Sequence, residues 1–99
     1  MNSNVLNLLG LATRARKTVS GEMILNAIRG NTAKLVIIAD DASENTKKKL
    51  IDKCIYYHVD YVFIESSAIL SRAVGKNNRM AIAINDLGVA QKIKNYLKG

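Results

Sequence analysis

A short segment near the amino terminus carries the residues of this sequence that are best suited to bind an anion. Residues 14–22 read RARKTVSGE and combine three cations, two hydroxyls, a glycine and one carboxylate. The segment leads into a stretch with helical periodicity, so it offers cations, free backbone N–H groups and one acceptor at a helix entry. This combination predicts a binding site for a ligand that carries phosphate.

Glu22 is the one acid in this basic segment, and two interpretations of it remain open. A carboxylate in a basic surface repels a phosphate backbone. It can, however, accept hydrogen bonds from the N1–H and N2–H groups of a guanine whose edge is left open by a non-Watson–Crick pair. The alternative is that Glu22 only complements the dipole of the helix that begins there, and spacing alone does not separate the two.

Positive charge is concentrated in two parts of the chain. The net charge is +4 over residues 1–34, −2 over residues 40–65 and +5 over residues 66–99. If the loop entering the second helix and the loop entering the last strand meet at one end of the fold, a basic patch forms rather than a uniformly basic surface. The side chains expected in that patch are Arg14, Arg16, Lys17, Lys76 and Arg79.

The composition indicates one small domain with an anionic partner. The chain has 99 residues and is 48% hydrophobic, which supplies enough apolar material for a single core, so we expect one domain over residues 1–99. The formal net charge is +7 and the pI is about 9.8. A basic surface without a function is the alternative to an anionic partner.

Cysteine usage and hydropathy favour a cytoplasmic protein without a membrane segment. The single cysteine, Cys54, excludes an internal disulfide and fits a reducing compartment. Basic residues follow the short apolar run at the amino terminus instead of preceding it, which is the wrong order for a signal peptide. No run approaches about 18 consecutive apolar residues, so no membrane span is expected.

No residue pattern indicates catalysis, a metal site or a bound cofactor. The single histidine, His58, lacks triad or metal-ligand spacing, and Cys54 lies on an apolar helical stripe. Asp40 and Asp41 follow a strand, where open α/β sheets bind ligands, but a capping box of Asp41 and Glu44 explains them more simply. The glycine motifs of nucleotide-dependent enzymes are absent. We therefore expect no such enzyme, no cofactor and no metal.

Hydrophobic patterning predicts strands that alternate with helices. Continuous apolar runs at 35–39, 61–64 and 80–84 indicate strands covered on both faces, and residues 17–20 supply a short extra strand. Helical spacing between them gives the order α-β-α-β-α-β-α-β-α. This order predicts an α/β fold, a three-layer α/β/α sandwich around a mainly parallel sheet.

The third helix and the strand after it are expected to be covered on their apolar sides. Tyr61 and Phe63 share one strand face, which helices should cover, so a stacking platform for single-stranded nucleic acid is not expected. The helix has an inward apolar stripe and an outward group of three lysines. The stripe comprises Leu50, Ile51, Cys54 and Ile55, and the lysines are Lys47, Lys48 and Lys49.

Three segments resemble the kink-turn RNA-binding ribosomal protein family, which includes ribosomal proteins L-seven-Ae and L-thirty-e. They are KTVSGEMILNAIRG at residues 17–30, AKLVIIADD at 33–41 and AVGKNNRMAIAI at 73–84. The second followed by the third at this separation is a specific signal, and the chain looks most like the short bacterial members. The resemblance implies an L-thirty-e-like α/β/α sandwich with a four-stranded mixed sheet.

The same resemblance implies a function in RNA binding. Members of the family grip an internal loop that is sharply bent by tandem sheared G·A pairs, a kink-turn. The expected partners are therefore kink-turn RNA, in ribosomal RNA or a riboswitch, and the ribosome. The protein is expected to act as a monomer.

The family reads the guanines of those pairs with a Gly-x-Asn-Glu element at the start of the second helix. Glu22 matches the glutamate, whereas Gly21 replaces the asparagine and Val19 replaces the glycine, so the acceptor is kept and an amide side chain is lost. Matching positions also occur in the second helix, before the second block's strand and in the loop that packs against the flipped-out nucleotide. The full set expected to contact RNA is Arg16, Lys17, Thr18, Ser20, Gly21, Glu22, Arg29, Lys34, Val74, Gly75, Lys76, Asn77, Asn78 and Arg79.

Two other functions remain open from the sequence. Similar domains are substrate-binding parts of RNA methyltransferases, but 99 residues leave no length for a catalytic domain. The chain could instead be an accessory protein-interaction module of ribosome assembly with weak, non-specific RNA binding, because Gly21 stands in place of the asparagine.

Overall fold

The computed structural model describes residues 3–97, over which helices and strands alternate in the predicted order. Among these residues, no helix has both the length and the apolar character needed to cross a bilayer. The last strand begins one residue later than the sequence predicts, at Ala81. The helices are α1 (Ser3–Arg14), α2 (Met23–Arg29), α3 (Glu44–Tyr57), α4 (Ser67–Val74) and α5 (Leu87–Leu97), and the strands are β1 (Thr18–Ser20), β2 (Leu35–Ala39), β3 (Tyr61–Ile64) and β4 (Ala81–Ile84).

The four strands form one mixed sheet in the order β1-β4-β2-β3. Strands β2 and β3 are parallel, and β4 pairs antiparallel with β1 on one side and with β2 on the other. The mixed sheet implied by the family resemblance is therefore confirmed, whereas a mainly parallel sheet is wrong. Continuous apolar runs report that both faces of a strand are buried, and they carry no information about strand direction.

Helices cover both faces of the sheet, and alternate residues of each central strand point into the two resulting cores. Leu9 of α1, Leu70 of α4 and Ile93 of α5 pack with Ile37 of β2 in one core. Ile28 of α2 and Cys54 of α3 pack with Val36 and Ile38 of β2 in the other. All residues of β2 and β4 are buried, which makes these two strands the centre of the three-layer sandwich.

Strand β3 lies at the edge of the sheet and is only partly covered. Phe63 is 42% exposed and stacks edge to face on Tyr61 with ring centroids 6.1 Å apart. Ile55 of α3 is 60% exposed, so the inward stripe predicted for that helix is too wide by one residue. The prediction that helices cover the Tyr61–Phe63 face is therefore wrong at Phe63, because α3 packs its buried side chains on β2 and stops short of the edge.

The amino terminus of α3 is capped differently from the predicted capping box. The hydroxyl of Ser43 accepts a hydrogen bond from the backbone N–H of Thr46 at 3.2 Å, so Ser43 is the cap of α3. Glu44 is the first helical residue and makes an ion pair with Lys47, Nζ to Oε1, at 3.8 Å. Lys47 also lies 3.9 Å from a carboxylate oxygen of Asp40, so this lysine is turned back towards the fold instead of outward.

Asp41 stabilises the start of α4 rather than the start of α3. The backbone N–H of Ser67 donates to Oδ1 of Asp41 at 2.8 Å, and the hydroxyl of Ser67 donates to Oδ2 at 3.0 Å. These hydrogen bonds, led by the one from the backbone of Ser67, hold the pKa of Asp41 below its usual value. Asp41 thus ties the end of β2 to the beginning of α4.

We expect Asp41→Asn to weaken the fold at about pH 7 and to matter less in acid. A carboxyl whose pKa is lowered by folding contributes stability above its unfolded pKa of about 3.9, and that contribution disappears as the pH falls through the folded value. Urea unfolding at several pH values should therefore show a gap between wild type and variant that narrows below about pH 4. Glu44→Gln, which removes an exposed carboxylate, is the matched control, and a gap that is constant with pH would contradict the assignment.

Candidate nucleic-acid interface

The strand directions bring two distant segments of the chain to the same edge of the sheet. Ser20 at the end of β1 is paired with Ile82 of β4, and Ala81 of β4 is paired with Ile38 of β2. The residues that leave β1 therefore meet the residues that enter β4. We call this end of the sheet, where β1 and β2 finish and β4 begins, the groove edge, and the opposite end the far edge.

A groove of about 360 Å³ opens at the groove edge between α2, α3 and the loop before β4. We call it the α2–β4 groove. Its apolar floor includes Ile24 and Leu50, and its rim carries charged and polar side chains from three separate segments of the chain. The rim residues are Gly21, Glu22, Thr46, Lys49, Asn78 and Arg79.

Glu22 presents an unengaged carboxylate to the α2–β4 groove. It occupies the N-cap position of α2 with helical backbone angles, φ −64° and ψ −23°, and its side chain makes no capping hydrogen bond. The side chain is exposed and forms no ion pair with any residue in the range 3–97. Both carboxylate oxygens are therefore available to donors on a ligand. The carboxylate also lies at the start of α2, where its charge interacts favourably with the helix dipole.

Gly21 shapes the turn that delivers Glu22 to the groove. Its φ is +64°, in the left-handed region that residues other than glycine and asparagine seldom adopt. A Cβ added at Gly21 would meet no atom within 4 Å, so the surroundings leave room for a side chain. The backbone, and not crowding, is the reason for glycine at this position.

The loop from Val74 to Arg79 is held in a defined shape, and its last two residues, Asn78 and Arg79, form the opposite wall of the groove. Gly75 ends α4 in the left-handed conformation, with φ +69°, and Asn78 has φ +55°. The buried hydroxyl of Ser71 accepts a hydrogen bond from the backbone N–H of Arg79 at 2.8 Å. Within residues 3–97, Nε of Arg79 is buried without a hydrogen-bond partner, so the groove wall holds an unused donor.

A second crevice lies beside β1 and holds further residues of the predicted set. Arg16 and Lys76 line it together with Thr18 and Ser20 of β1, and it measures about 210 Å³. Buried Val74 closes one side of it. Lys76 also lines a neighbouring crevice of about 600 Å³, which it shares with Asn77, Asn78 and Arg72.

Several of the predicted contact residues do not lie at the groove edge, among them Thr18, which pairs with the last residue of β4. Lys17 precedes β1 and makes an ion pair with Asp86 at 2.9 Å, and Lys34 precedes β2 with its Nζ donating to the carbonyl of Asn31 at 3.0 Å. Both lysines therefore stand at the far edge. Arg29 ends α2, about 9 Å along the helix axis from its first residue.

The cations of the predicted basic patch line several adjoining crevices in the structure, with the exception of Lys17. Arg16 and Lys76 share one crevice, Arg79 lies in the α2–β4 groove, and Lys17 is at the far edge. Arg14 lies with Arg72 in a crevice between α1 and α4. The prediction was therefore wrong for Lys17, which lies apart from the other four cations.

Two residues of the α2–β4 groove are missed by sequence reasoning. Thr46 and Lys49 lie on one side of α3, three positions apart, and both reach the α2–β4 groove. Arg72 lies on the outer side of α4, next to the predicted loop. The helical spacing of Thr46 and Lys49 was visible in the sequence, but the packing of α3 against α2 was needed to show which way it faces.

The described residues hold no group of side chains that could bind a metal ion, and the single cysteine is buried. In the range 3–97, no three His, Cys, Asp or Glu side chains are grouped as metal ligands would be. Burial raises the pKa of the Cys54 thiol to about 11, so it is protonated and unreactive near neutral pH. His58 is the left-handed cap at the end of α3, with φ +60°.

Comparison with known sequences gives relatives that bind RNA. Over 91 residues the chain is 52% identical to the RNA-binding protein YlxQ of Bacillus subtilis, with 91% of each chain covered. It is 45% identical over 95 residues to the RNA-binding protein YlxQ of Enterococcus faecium, covering 95% of this chain and 91% of that protein.

Solved structures and a family match extend these likenesses to the fold. A protein of unknown function from Bacillus halodurans has a TM-score of 0.94 at 36% identity, with 99% of this chain and 100% of that chain covered. The 15.5kD RNA binding protein of Giardia lamblia has a TM-score of 0.78 at 26% identity, covering 99% and 91%. The sequence model of one family matches residues 3–94. The chain belongs to the ribosomal protein L7Ae/L30e/S12e/Gadd45 family.

Proposed function

We propose that this protein recognises kink-turn RNA through the α2–β4 groove. The observation that carries the proposal is the free, exposed carboxylate of Glu22 on the rim of a groove whose other charged rim residues are Lys49 and Arg79. A surface that only attracted phosphate would gain nothing from a carboxylate at its centre. An acceptor placed among cations is suited to donors on a base while the cations hold the phosphates on either side.

Glu22 accepts hydrogen bonds from the N1–H and N2–H groups of a guanine in a sheared G·A pair. Sheared pairing leaves this edge of the guanine free, whereas a Watson–Crick pair occupies it. The cations supply attraction that depends on salt and is independent of RNA sequence. Binding therefore shifts the equilibrium of an RNA that already bends, and it neither makes nor breaks a covalent bond.

The loop of residues 74–79 provides a preformed wall for the bent RNA. The Ser71–Arg79 hydrogen bond and the left-handed residues Gly75 and Asn78 fix its shape before binding. A loop that is already ordered loses little conformational entropy when the ligand arrives.

The left-handed backbone of Gly21 supports the kink-turn proposal despite the missing asparagine. Asparagine is among the residues that adopt this conformation most readily after glycine. Glycine therefore preserves the turn that an asparagine would make and loses only its amide side chain. The loss affects the strength of the contact and not the position of Glu22.

The cellular setting of the proposal follows from the family. The family includes ribosomal proteins. Kink-turns of ribosomal RNA are therefore the first targets to test, and riboswitches are the next. We propose that the protein acts as a monomer on such RNA in the cytoplasm, in association with the ribosome.

An accessory protein-interaction module of ribosome assembly is the second candidate. The exposed side chains of Phe63 and Ile55 beside the edge strand β3 favour it, because they are apolar and lie away from the α2–β4 groove. This candidate predicts weak RNA binding that does not depend on the G·A pairs.

We expect Glu22→Gln to weaken binding to a kink-turn by about 1–3 kcal/mol, or roughly 5- to 150-fold, because an amide both accepts and donates and cannot replace a carboxylate facing two donors. Binding to a straight duplex of the same length should be unchanged or slightly tighter, since the net charge rises by one. Fluorescence anisotropy titrations of both RNAs measure the difference.

Asp52→Asn is the matched control for this variant. It also removes one negative charge, from an exposed position on α3 that does not line the groove. It should leave the preference for the kink-turn intact. Equal affinities of the wild type for the two RNAs, or equal losses on both in Glu22→Gln, would contradict base recognition and favour the protein-interaction module.

We expect Gly21→Asn to bind the kink-turn about 2- to 10-fold more tightly than wild type, because one added amide hydrogen bond contributes about 0.5–1.5 kcal/mol. Its stability should change little, since the backbone suits asparagine and the space is open. Gly21→Ala is the control, because alanine is strained at positive φ by about 1 kcal/mol and adds no donor. Tighter binding by both variants would show that the amide is not the cause.

A further inference from the structure

The outer surface of α1 and α4 is strongly basic and lies beside the α2–β4 groove. Residues 3–21 and 66–85, which include α1 and α4, contain no aspartate or glutamate. Four cations project from it, and we call their surface the α1–α4 basic face. They are Arg14, Arg16, Arg72 and Lys76.

Arg14 and Arg72 lie in one crevice of about 330 Å³ where α1 packs against α4. Gly10 is at this contact, and a Cβ on it would lie 3.2 Å from the carbonyl oxygen of Ala73 and 3.9 Å from Nη1 of Arg14. The glycine therefore lets the two helices approach closely. The guanidinium of Arg14 folds back over the helix contact, on the side where Arg72 emerges.

The four cations of the α1–α4 basic face are unpaired within the part of the chain that the structure describes. The ion pairs in residues 3–97 involve Lys17, Lys47 and Lys94, and none involves a member of this face. Guanidinium groups of like charge in one crevice repel each other. A phosphate between them offsets this repulsion, and arginine suits this ligand because its planar group donates two hydrogen bonds at once.

The α1–α4 basic face is continuous with the α2–β4 groove. Asn78 lines both the groove and the adjoining crevice that contains Arg72 and Lys76. Lys76 also lines the crevice with Arg16, and Arg72 also lines the one with Arg14. A path of shared residues therefore leads from Glu22 across α4 to the end of α1.

We propose that the α1–α4 basic face binds the phosphates of a double-helical stem as it leaves the bent RNA held in the α2–β4 groove. The proposal rests on the function proposed above for the groove. It adds a second contact, which senses the length and direction of one stem and is blind to its sequence. Continuity with the groove favours RNA over an acidic peptide as the ligand of this face.

The size of the molecule limits how much of the stem can be covered. Its principal extents are 30 × 27 × 26 Å, so the face spans no more than about one helical turn, which is roughly 34 Å in duplex DNA. Lengthening the correct stem should therefore increase affinity up to about one turn and no further. Lengthening the other stem should have little effect.

The test uses the full chain and three kink-turn RNAs. The first has two short stems, the second has only one stem lengthened by about 10 base pairs, and the third has only the other stem lengthened by the same amount. Affinity is measured against salt for the wild type and for a variant carrying Arg14→Gln and Arg72→Gln. For the wild type, we expect the slope of log affinity against log salt concentration to be steeper by about 1–2 with one of the lengthened RNAs than with the short RNA. The double variant should lose this increase and bind the short RNA as well as wild type does.

A variant carrying Lys48→Gln and Lys53→Gln is the matched control. It removes the same charge from α3, on the other side of the sheet, and it should keep the steeper slope. Equal loss of slope in both double variants, or no dependence of the wild type on either stem, would overturn the proposal. So would displacement of the stem-dependent binding by polyglutamate at concentrations that leave short-RNA binding intact.

The stem contact and the kink-turn function can fail separately. Preference for a kink-turn over a straight duplex is measured with short stems, where the α1–α4 basic face has no phosphates to bind. If that preference is absent while the slope still depends on Arg14 and Arg72, the kink-turn proposal fails and the phosphate-binding face stands.

Discussion

The position of β4 between β1 and β2 is the constraint on which the interface depends. β4 runs antiparallel to both neighbours and is buried throughout. Its direction places the residues just before it at the edge where β1 ends, so Arg79 meets Glu22 although more than fifty residues separate them. If β4 ran parallel to β1 and β2, its entry would lie at the far edge, beside Lys17 and Lys34. Strand order thus determines which charges act together.

Hydrogen bonds between segments keep the walls of the groove in place. The Ser71 hydroxyl fixes the start of β4 to α4, and Asp41 fixes the start of α4 to the end of β2. Both bonds join residues at the groove edge that are distant in sequence or belong to different elements. Recognition of an RNA shape requires walls that do not yield to it, because a flexible site would lose the difference in free energy between a bent and a straight ligand.

Much of the fold was predictable because burial and capping act locally. Apolar runs predicted β2 and β3 at their observed bounds. Strand direction and helix facing depend on contacts between distant segments, so the sheet was predicted as mainly parallel and Lys49 was overlooked. The prediction that Asp41 caps α3 was wrong. A carboxylate just before a helix is a typical cap of that helix, but the hydrogen-bond partner of Asp41 is Ser67, which is 26 residues away. Glu22 could be predicted as a site residue without knowledge of the fold, because a single carboxylate in a basic segment repels phosphate and suits hydrogen-bond donors instead.

The most direct test of the account is to map the RNA contact on the protein by NMR, following backbone amides during titration with a kink-turn RNA. If the α2–β4 groove recognises RNA, the largest shifts occur at Gly21 and Glu22, in residues 74–79 and around Lys49, the segments that the sheet brings together at the groove edge. Amides at the far edge and along β3 should shift little. Shifts concentrated at the β3 edge, or spread evenly over all lysines, would contradict the claim that the α2–β4 groove recognises RNA.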